Sequence, residues 1–312
     1  MSAPLLEVRN LTTRFDTPRG VVRAVEDVSF TVDAGETMAI VGESGSGKTV
    51  TAMSVLKLLP MPPARIVGGE ILWRGRDLVP LDSDAMRGIR AEAAVAAVRD
   101  AIKPGVTENE LFAVMYHEVI RQGGEFIETR LLTSGQRTNP WFNEASGRRV
   151  RPGELVALDT DTIGCYGYYS DFSRTFRCGP GKPTPYQKAL YRMSYDQVQH
   201  NIAIIAPGMS FREIAEKAWK IPERFIDQRY TSVMHGVGMH GETPFIAHAM
   251  DFQTYGREGV IEPGMVVSVE SYIGEKGRGE GVKLEEEVLL TDKGPRLISR
   301  FPFEDELLDR EV

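Results

Sequence analysis

Between Gly35 and Leu59 the apolar positions change period. A β-rich apolar run, Met38 to Val41, follows Gly35-Glu36 and predicts a strand. The stretch "VGESGSGKT" ends that run, and from Thr49 the apolar residues take helical spacing. Strand, glycine-rich loop and helix therefore follow in order. From Ala91 the texture differs. "AEAAVAAVRDAI" predicts a strong Ala-rich helix that ends at Lys103-Pro104-Gly105. Thr107-Glu108-Asn109-Glu110 reads as a capping box that opens a second helix. The phrase returns in "APGMSFREIAEKAWK", with Pro207-Gly208, the box Ser210-Phe211-Arg212-Glu213 and another amphipathic helix.

Strands repeat as well. "RPGELVALDTD" begins at Arg151 and "EPGMVVSVESY" at Glu262. Asp159 lies seven residues after Pro152, and Glu270 seven after Pro263. Two Pro-Gly helices and two Pro-Gly strands, each pair just over 100 residues apart, predict a duplicated α+β unit. Carboxylates at matching positions of two half-domains would face each other across a pseudo-twofold axis.

Composition narrows the class. At 312 residues the chain has room for one large domain or two modest ones. Its 42% apolar and 26% charged residues are ordinary for a globular protein. Residues 1–90 hold 11 basic and 11 acidic side chains, so the net charge of −7 belongs to the rest. No basic block points to nucleic acid or anionic lipid. The longest apolar runs are too short to span a bilayer, and "MSAPLLEVRN" has no signal-peptide core. Cys165 and Cys178 make neither a disulfide framework nor a metal-ligand pair by spacing. The expectation is a reduced, cytoplasmic protein without a nucleic-acid partner or direct membrane insertion.

"VGESGSGKT" fits G-x-x-x-x-G-K-[ST] in the strand–loop–helix context that a phosphate loop needs. Gly42, Gly45, Ser46 and Gly47 would form the cradle, whose backbone N–H groups ring an anion. Lys48 would reach the outer phosphates and Thr49 would hold Mg²⁺, which makes ATP with Mg²⁺ a candidate ligand. Residues 1–90 resemble the ATP-binding subunits of ABC transporters, closest to oligopeptide and dipeptide importers, through "LLEVRNLTTRF", "AVEDVSFTVDAGETMAIVGESGSGKT" and "GGEILWRGRDL". The resemblance implies a partial P-loop lobe with Phe15 against adenine. Two later pieces, "LLTSGQR" and "ELVALDTD", imitate the signature loop and the Walker-type acid. Their details fail, because Ser134 replaces a glycine and Thr160 follows Asp159 where a glutamate belongs. An ATPase without these parts cannot position phosphoryl transfer, so hydrolysis is not expected.

Further along, Asp161 and Asp171 flank "TIGCYGYYS", His235 lies in "SVMHGVGMHGE" and Glu285 in "GVKLEEEV". With Asp159 and Glu270, these carboxylates and one imidazole suit Mn, Fe, Co or Zn. Residues 91–312 resemble the catalytic domain of the pita-bread metalloenzymes, which include methionine aminopeptidase, Xaa-Pro aminopeptidase, prolidase and creatinase. The family's ligand order Asp, Asp, His, Glu, Glu falls on Asp159 or Asp161, Asp171, His235, Glu270 and Glu285, and "GYYSDFSRTF" matches its segment around the second ligand. Asp171 is twelve residues after Asp159 and ten after Asp161, one on either side of the family's spacing, so Asp159 and Asp161 both stay open as the first ligand. The resemblance implies two divalent ions, two half-domains around a six-stranded curved sheet, a small-molecule substrate and a homodimer.

The peptidases of that family use two further histidines. "TSGQRTNPWFNEASGRRVRPGE" contains none, and Glu242 stands seven residues after His235, with His240 at plus five. "LDTDTIGCYGYYSDFSRTFRCGPGKPT", "RYTSVMHGVGMHGETP" and "PGMVVSVESYIGE" resemble the pita-bread dimethylsulfoniopropionate lyases. This implies β-elimination rather than peptide hydrolysis. The lyases' base position falls on Gly241, so Glu242 or His240 must substitute, with Tyr230 beside them. Trp141, Phe142, Tyr168 and Tyr230 are candidates for an aromatic wall against a sulfonium cation. The alternatives are an Xaa-Pro metallohydrolase, an inactive fusion and an ABC transporter ATP-binding protein. His117, His200 and His248 fit no motif and read as surface or core residues, and Met234 and Met239 read as packing.

Overall fold

Thr, Val and Phe crowd residues 8–32, and these β-formers build two long antiparallel strands, β1 (Leu6–Thr17) and β2 (Gly20–Val32). The computed structural model describes residues 4–310 apart from 44, 58, 60, 81, 82, 165 and 166; for 83–90 it describes the backbone alone. Cys165 therefore lies outside the described residues. The chain divides into two units, Met1–Met86 and Arg87–Val312.

In the first unit the other edge of β1 pairs with β3 (Ala64–Trp73), and β3 pairs with β4 (Arg76–Asp77), giving the order β2-β1-β3-β4. Val8, Leu11, Val25 and Ile71 are among its buried side chains. Helix α1 (Lys48–Val55) follows the glycine-rich loop, where the helical spacing predicted it. The strand expected at Met38–Val41 does not form. Met38, Ile40 and Val41 are 38%, 43% and 88% exposed. A short apolar run becomes a strand only when a neighbouring strand pairs with its backbone, and no described residue pairs with it.

The second unit begins within α2 (Ser83–Ala101), so the helix predicted from Ala91 starts earlier than its Ala-rich part. Thr107 caps α3 (Glu108–Arg121) with the expected reciprocal box. Then come β5 (Phe126–Ile127), β6 (Leu132–Ser134), β7 (Leu155–Asp159), β8 (Thr162–Ile163), β9 (Tyr169–Ser170) and β10 (Ser173–Arg177). Helix α4 (Pro185–Ile204) is capped by a box at Thr184–Gln187, and α5 (Phe211–Lys217) by the expected box at Ser210–Glu213. The second half continues with β11 (Ser232–Gly236), β12 (Phe245–Ala247), α6 (Phe252–Tyr255), β13 (Val266–Gly274), β14 (Gly281–Thr291), β15 (Gly294–Leu297) and α7 (Asp305–Leu308).

The duplication is visible bond by bond. Gly105 N–H donates to the Val150 carbonyl at 2.9 Å, and Gly208 N–H to that of Ile261 at 2.8 Å. Gly153 N–H donates to Cys178 at 2.7 Å, and Gly264 N–H to Leu290 at 2.8 Å. All four glycines have φ between 83° and 92°, a region closed to most side chains, which is why Pro-Gly recurs at these turns. The fragments that imitated ATPase motifs are strands of this unit. β6 pairs antiparallel with β7, Leu132 opposite Leu158, and both leucines are buried.

The expected six-stranded curved sheet is instead two sheets, β10-β7-β6 and β12-β11-β13-β14-β15, with a small β5-β8-β9 sheet beside them. Between β10 and β14 a side chain replaces the backbone ladder. The Thr175 hydroxyl donates to the Lys283 carbonyl at 2.8 Å and accepts from the Lys283 N–H at 3.1 Å. Helices α2 and α3 pack on β7 and β10 through Val95, Val98, Leu111 and Met115, while α4 packs on β13 and β14 through Leu190, Tyr191 and Val198. Each such buried side chain contributes about 1.5–3 kcal/mol of transfer free energy. The floor on which the acidic residues stand is thereby rigid.

Candidate metal centre

Strand register gathers the acids. Ser173 opens β10 opposite Asp159 at the end of β7, and Glu270 on β13 lies directly opposite Glu285 on β14. His235 on β11 is opposite Ser268 on β13. Directly opposed residues point to the same face of a sheet, so each half contributes a pair to one cleft. Asp171 enters from the turn between β9 and β10, its N–H held by Glu287 Oε1 at 2.9 Å.

The six sequence-predicted residues come together. His235 Nε2 is 3.1 Å from Glu270 Oε1, 3.4 Å from Glu285 Oε1 and 3.6 Å from Asp171 Oδ2. Asp171, His235 and Glu285 each offer a donor atom within 4.8 Å of the others, and so do Asp159, Asp161 and Asp171. The two triads share Asp171, and together their residues would hold two divalent ions. Asp161 is held by the Thr129 hydroxyl at φ 35°, so the loop that carries it is constrained.

The chemistry of this donor set fits divalent cations. The His235 Nδ1 faces the Gly236 carbonyl at 3.1 Å and so carries its proton there, which turns the Nε2 lone pair toward the carboxylate oxygens. Without a cation between them, the ring must itself be cationic. Burial opposes that, but Glu270 and the other acids outweigh it and hold the His235 pKa well above the ordinary value. Burial, then Glu285 and the other two aspartates, push Asp171 well above the carboxylate range, and burial with Asp159 does the same to Asp161. Buried Asp171 Oδ1 has no hydrogen-bond partner. Buried carboxylates that cannot all ionise and an oxygen with no donor are what a metal pair relieves.

Sequence reasoning missed Lys283. Its ammonium is fully buried, 2.8 Å from Glu270 Oε2, 3.0 Å from Glu285 Oε2 and 3.4 Å from Asp159 Oδ2. It also donates to Ser173 Oγ at 2.9 Å, and that hydroxyl lies 2.7 Å from an oxygen of Asp159 and from one of Glu285, with its single proton donated to one of the two. Alternation along β14 carried the signal, since residues 283 and 285 must share a face.

The other predicted residues divide. Tyr230 is buried at the centre, where burial and then Glu270, Asp159 and Glu242 raise its pKa well above that of a free phenol. Its ring face and that of Trp141 are taken by Lys283, at 4.7 and 5.8 Å from the centroids, so these two are not an open wall. Phe142 stacks on Tyr230 at 5.3 Å and is 55% exposed. Tyr168 is exposed, but its neighbour Tyr169 is the ring that lies 3.6 Å from where a Cβ on Gly241 would stand. Glu242, at φ 67°, is exposed at the mouth, yet surrounding protein raises its carboxyl pKa while His235 opposes the shift. His240 is exposed and turned to the Gly241 carbonyl, so the structure does not bring it to the acids. Met234 is core, whereas Met239, expected to pack, is 70% exposed.

In the first unit, the Lys48 ammonium closes on its own loop, donating to the Gly42 and Glu43 carbonyls at 2.8 and 2.6 Å and lying 3.4 Å from Ser46 Oγ. Gly45 and Gly47 have φ of 82° and 89°, and a Cβ on Gly47 would stand 2.4 Å from the Ala24 carbonyl oxygen. Thr49 is in the first turn of α1 and Phe15 is half-buried on β1. Among the described residues no strand precedes the loop, so the expected strand–loop–helix unit is present only as loop and helix. No helix of the described residues is long and apolar enough to cross a membrane.

Known proteins match both parts of the chain. A dimethylsulfoniopropionate lyase, DddP of Roseovarius nubinhibens, is 33% identical over 299 residues, covering 91% of this chain and 67% of the lyase. The oligopeptide transport ATP-binding protein OppD of Bacillus subtilis is 52% identical over 88 residues, 28% of this chain and 25% of that protein. Among solved structures, an Xaa-Pro dipeptidase from Bacillus anthracis aligns with a TM-score of 0.61 at 27% identity, covering 72% of this chain and 62% of its own. The chain thus spans about two thirds of the length of the lyase and somewhat less of the dipeptidase. The model of metallopeptidase family M24 matches residues 87–292, and the protein belongs to that family of metal-dependent enzymes.

Proposed function

We propose that this protein is a metal-dependent lyase that splits dimethylsulfoniopropionate into dimethyl sulfide and acrylate. Residues 91–312 are the catalytic domain in this reading, and residues 1–90 are an attached ATP-binding-subunit-like segment with no hydrolytic activity. Asp159 and Asp161, Asp171, His235, Glu270 and Glu285 hold two divalent ions. Those ions supply Lewis-acid charge that acidifies the substrate proton next to its carboxylate.

The observation that carries the lyase reading is the Glu242 carboxyl. Although the residue is exposed, the protein around its carboxyl, with Glu270 and Glu285, raises its pKa against the pull of His235, and it stands seven residues after His235, where the family's peptidases use histidine. A carboxylate made more basic by its surroundings is suited to removing a carbon-bound proton. In the proposed step Glu242 takes the α-proton. The electron pair of that C–H bond forms the new C=C bond, the β C–S bond breaks, and its pair leaves on sulfur as neutral dimethyl sulfide. Phe142, exposed beside Tyr230, offers an aromatic face to the sulfonium cation.

Glu242→Gln tests the assignment. It should keep the metal and lower dimethyl sulfide release by about 10²–10⁴-fold, the usual worth of a general base. Unchanged release would remove Glu242 from the mechanism. A second reading, hydrolysis of Xaa-Pro peptides, is supported by the fold shared with the Bacillus anthracis dipeptidase. In that case proline would be the product.

A further inference from the structure

We propose that Lys283 is a built-in cation of the metal centre, balancing the one carboxylate by which the acid cluster exceeds the charge of two divalent ions. The inference rests on the reading of this cluster as a two-ion site. Asp159, Asp161, Asp171, Glu270 and Glu285 carry five negative charges when ionised, and two divalent ions supply four positive ones. The Lys283 ammonium supplies the fifth from inside the protein. It lies 2.8, 3.0 and 3.4 Å from oxygens of Glu270, Glu285 and Asp159, with no exposed surface.

The geometry divides the work. Glu270 and Glu285 turn Oε2 to Lys283 and Oε1 to His235. One oxygen of each is thus tied to the fixed cation while the other faces the place where metal donors converge. The ring faces of Tyr230 and Trp141 cover the ammonium and favour its charged form in place of water. Ser173, at the position on β10 that pairs with Asp159, completes the link by bonding Lys283, Asp159 and Glu285 together. Glu287 lies outside this set, its carboxylate taking the Asp171 N–H and the Ser170 hydroxyl.

A balancing cation has a signature that a merely structural lysine lacks. When the site is empty it is one of two positive charges among the acids, the other being the His235 ring; when two divalent ions are bound it is one charge in five. Removing it must therefore harm the metal-free protein more than the loaded one. By linkage, the remaining acids then bind metal more tightly.

The test uses the full chain as wild type, Lys283→Met and Lys283→Arg, each stripped with chelator and each reloaded with Mn²⁺. Melting temperature and Mn²⁺ affinity are measured. Lys283→Met should melt on the order of 10 °C lower than wild type without metal, as expected for a broken buried ion pair. Its Mn²⁺-induced rise in Tm should be larger, and its apparent Mn²⁺ affinity about tenfold tighter. Lys283→Arg should restore both values. An equal or smaller metal-induced shift in Lys283→Met would overturn the proposal while leaving the metal site standing. A wild type that takes up no Mn²⁺ would sink the metal site and this inference with it. If Lys283→Met does not fold without metal, Asp159→Asn/Lys283→Met decides: recovery of a folded metal-free protein supports charge balance, and failure to recover contradicts it.

Discussion

Replacing His248 by asparagine should make the protein resist mild acid better than wild type does. His248 is buried, its Nε2 has no hydrogen-bond partner, and it keeps a hydrogen bond to the Tyr230 backbone. Burial pulls its pKa from 6.5 down to about 4, against the opposing influence of Asp251. The folded pKa is depressed, so the unfolded chain binds the proton first as pH falls. Stability from this residue is intact above pH 6.5, declines between 6.5 and 4, and declines no further below. At pH 5 the unfolded imidazole is almost fully protonated and the buried one about one-tenth protonated. Integrated from pH 8, this difference costs the wild type about 2 kcal/mol. Asparagine retains a donor for the backbone bond and has nothing to titrate. Urea unfolding of chelator-treated protein at pH 8 and pH 5, followed by tryptophan fluorescence, measures the effect. The acids of the empty site titrate in both proteins and cancel in the comparison. His248→Asn should lose about 2 kcal/mol less than wild type between the two pH values. Equal losses would refute the inference that His248 is buried in its neutral form.

Two further outcomes are expected. Gly236→Ala places a Cβ 1.9 Å from the Thr243 carbonyl oxygen, so β11 must shift beside His235; Mn²⁺ affinity should fall about 10- to 100-fold, as when the support of a metal ligand is lost, and unchanged affinity would contradict the packing. The purified protein should show no ATP turnover, because Lys48 is satisfied by its own loop and the ATPase partners are missing; turnover that disappears in Lys48→Ala would reverse that conclusion.

The halves of this protein differ in how far their sequence discloses them. The capping boxes were legible because they are local, Thr107 with Glu110 and Ser210 with Glu213, and the Pro-Gly turns because they recur in a repeat, although Gly105 and Gly208 bond to distant Val150 and Ile261. The acids were legible because Asp159 and Glu270 stand at matching places in the two Pro-Gly strands and the others follow the ligand order of the family that the chain resembles; the register adds that Glu270 and Glu285 are directly opposite. Met38–Val41 misled because a strand is made by its neighbours, and apolar β-formers alone cannot provide them. Lys283 escaped because a lysine in a strand normally faces water; only its three carboxylate partners, from β7, β13 and β14, make burial tolerable. Tyr168 was named as an aromatic candidate, whereas its neighbour Tyr169, which opens the two-residue β9, is the ring beside Gly241; a strand that short has no periodicity to show which of two adjacent residues takes a given face.

The most direct test of the proposed reaction offers the metal-loaded protein dimethylsulfoniopropionate and, separately, an Xaa-Pro dipeptide, with Asp171→Ala run alongside. Both chemistries would use the same acids, so only the product distinguishes them. Release of dimethyl sulfide and acrylate in equal amounts, abolished by Asp171→Ala, is the predicted result. Release of proline without dimethyl sulfide would contradict it and make the protein a hydrolase. No product from either would leave a metal-binding fusion without catalysis.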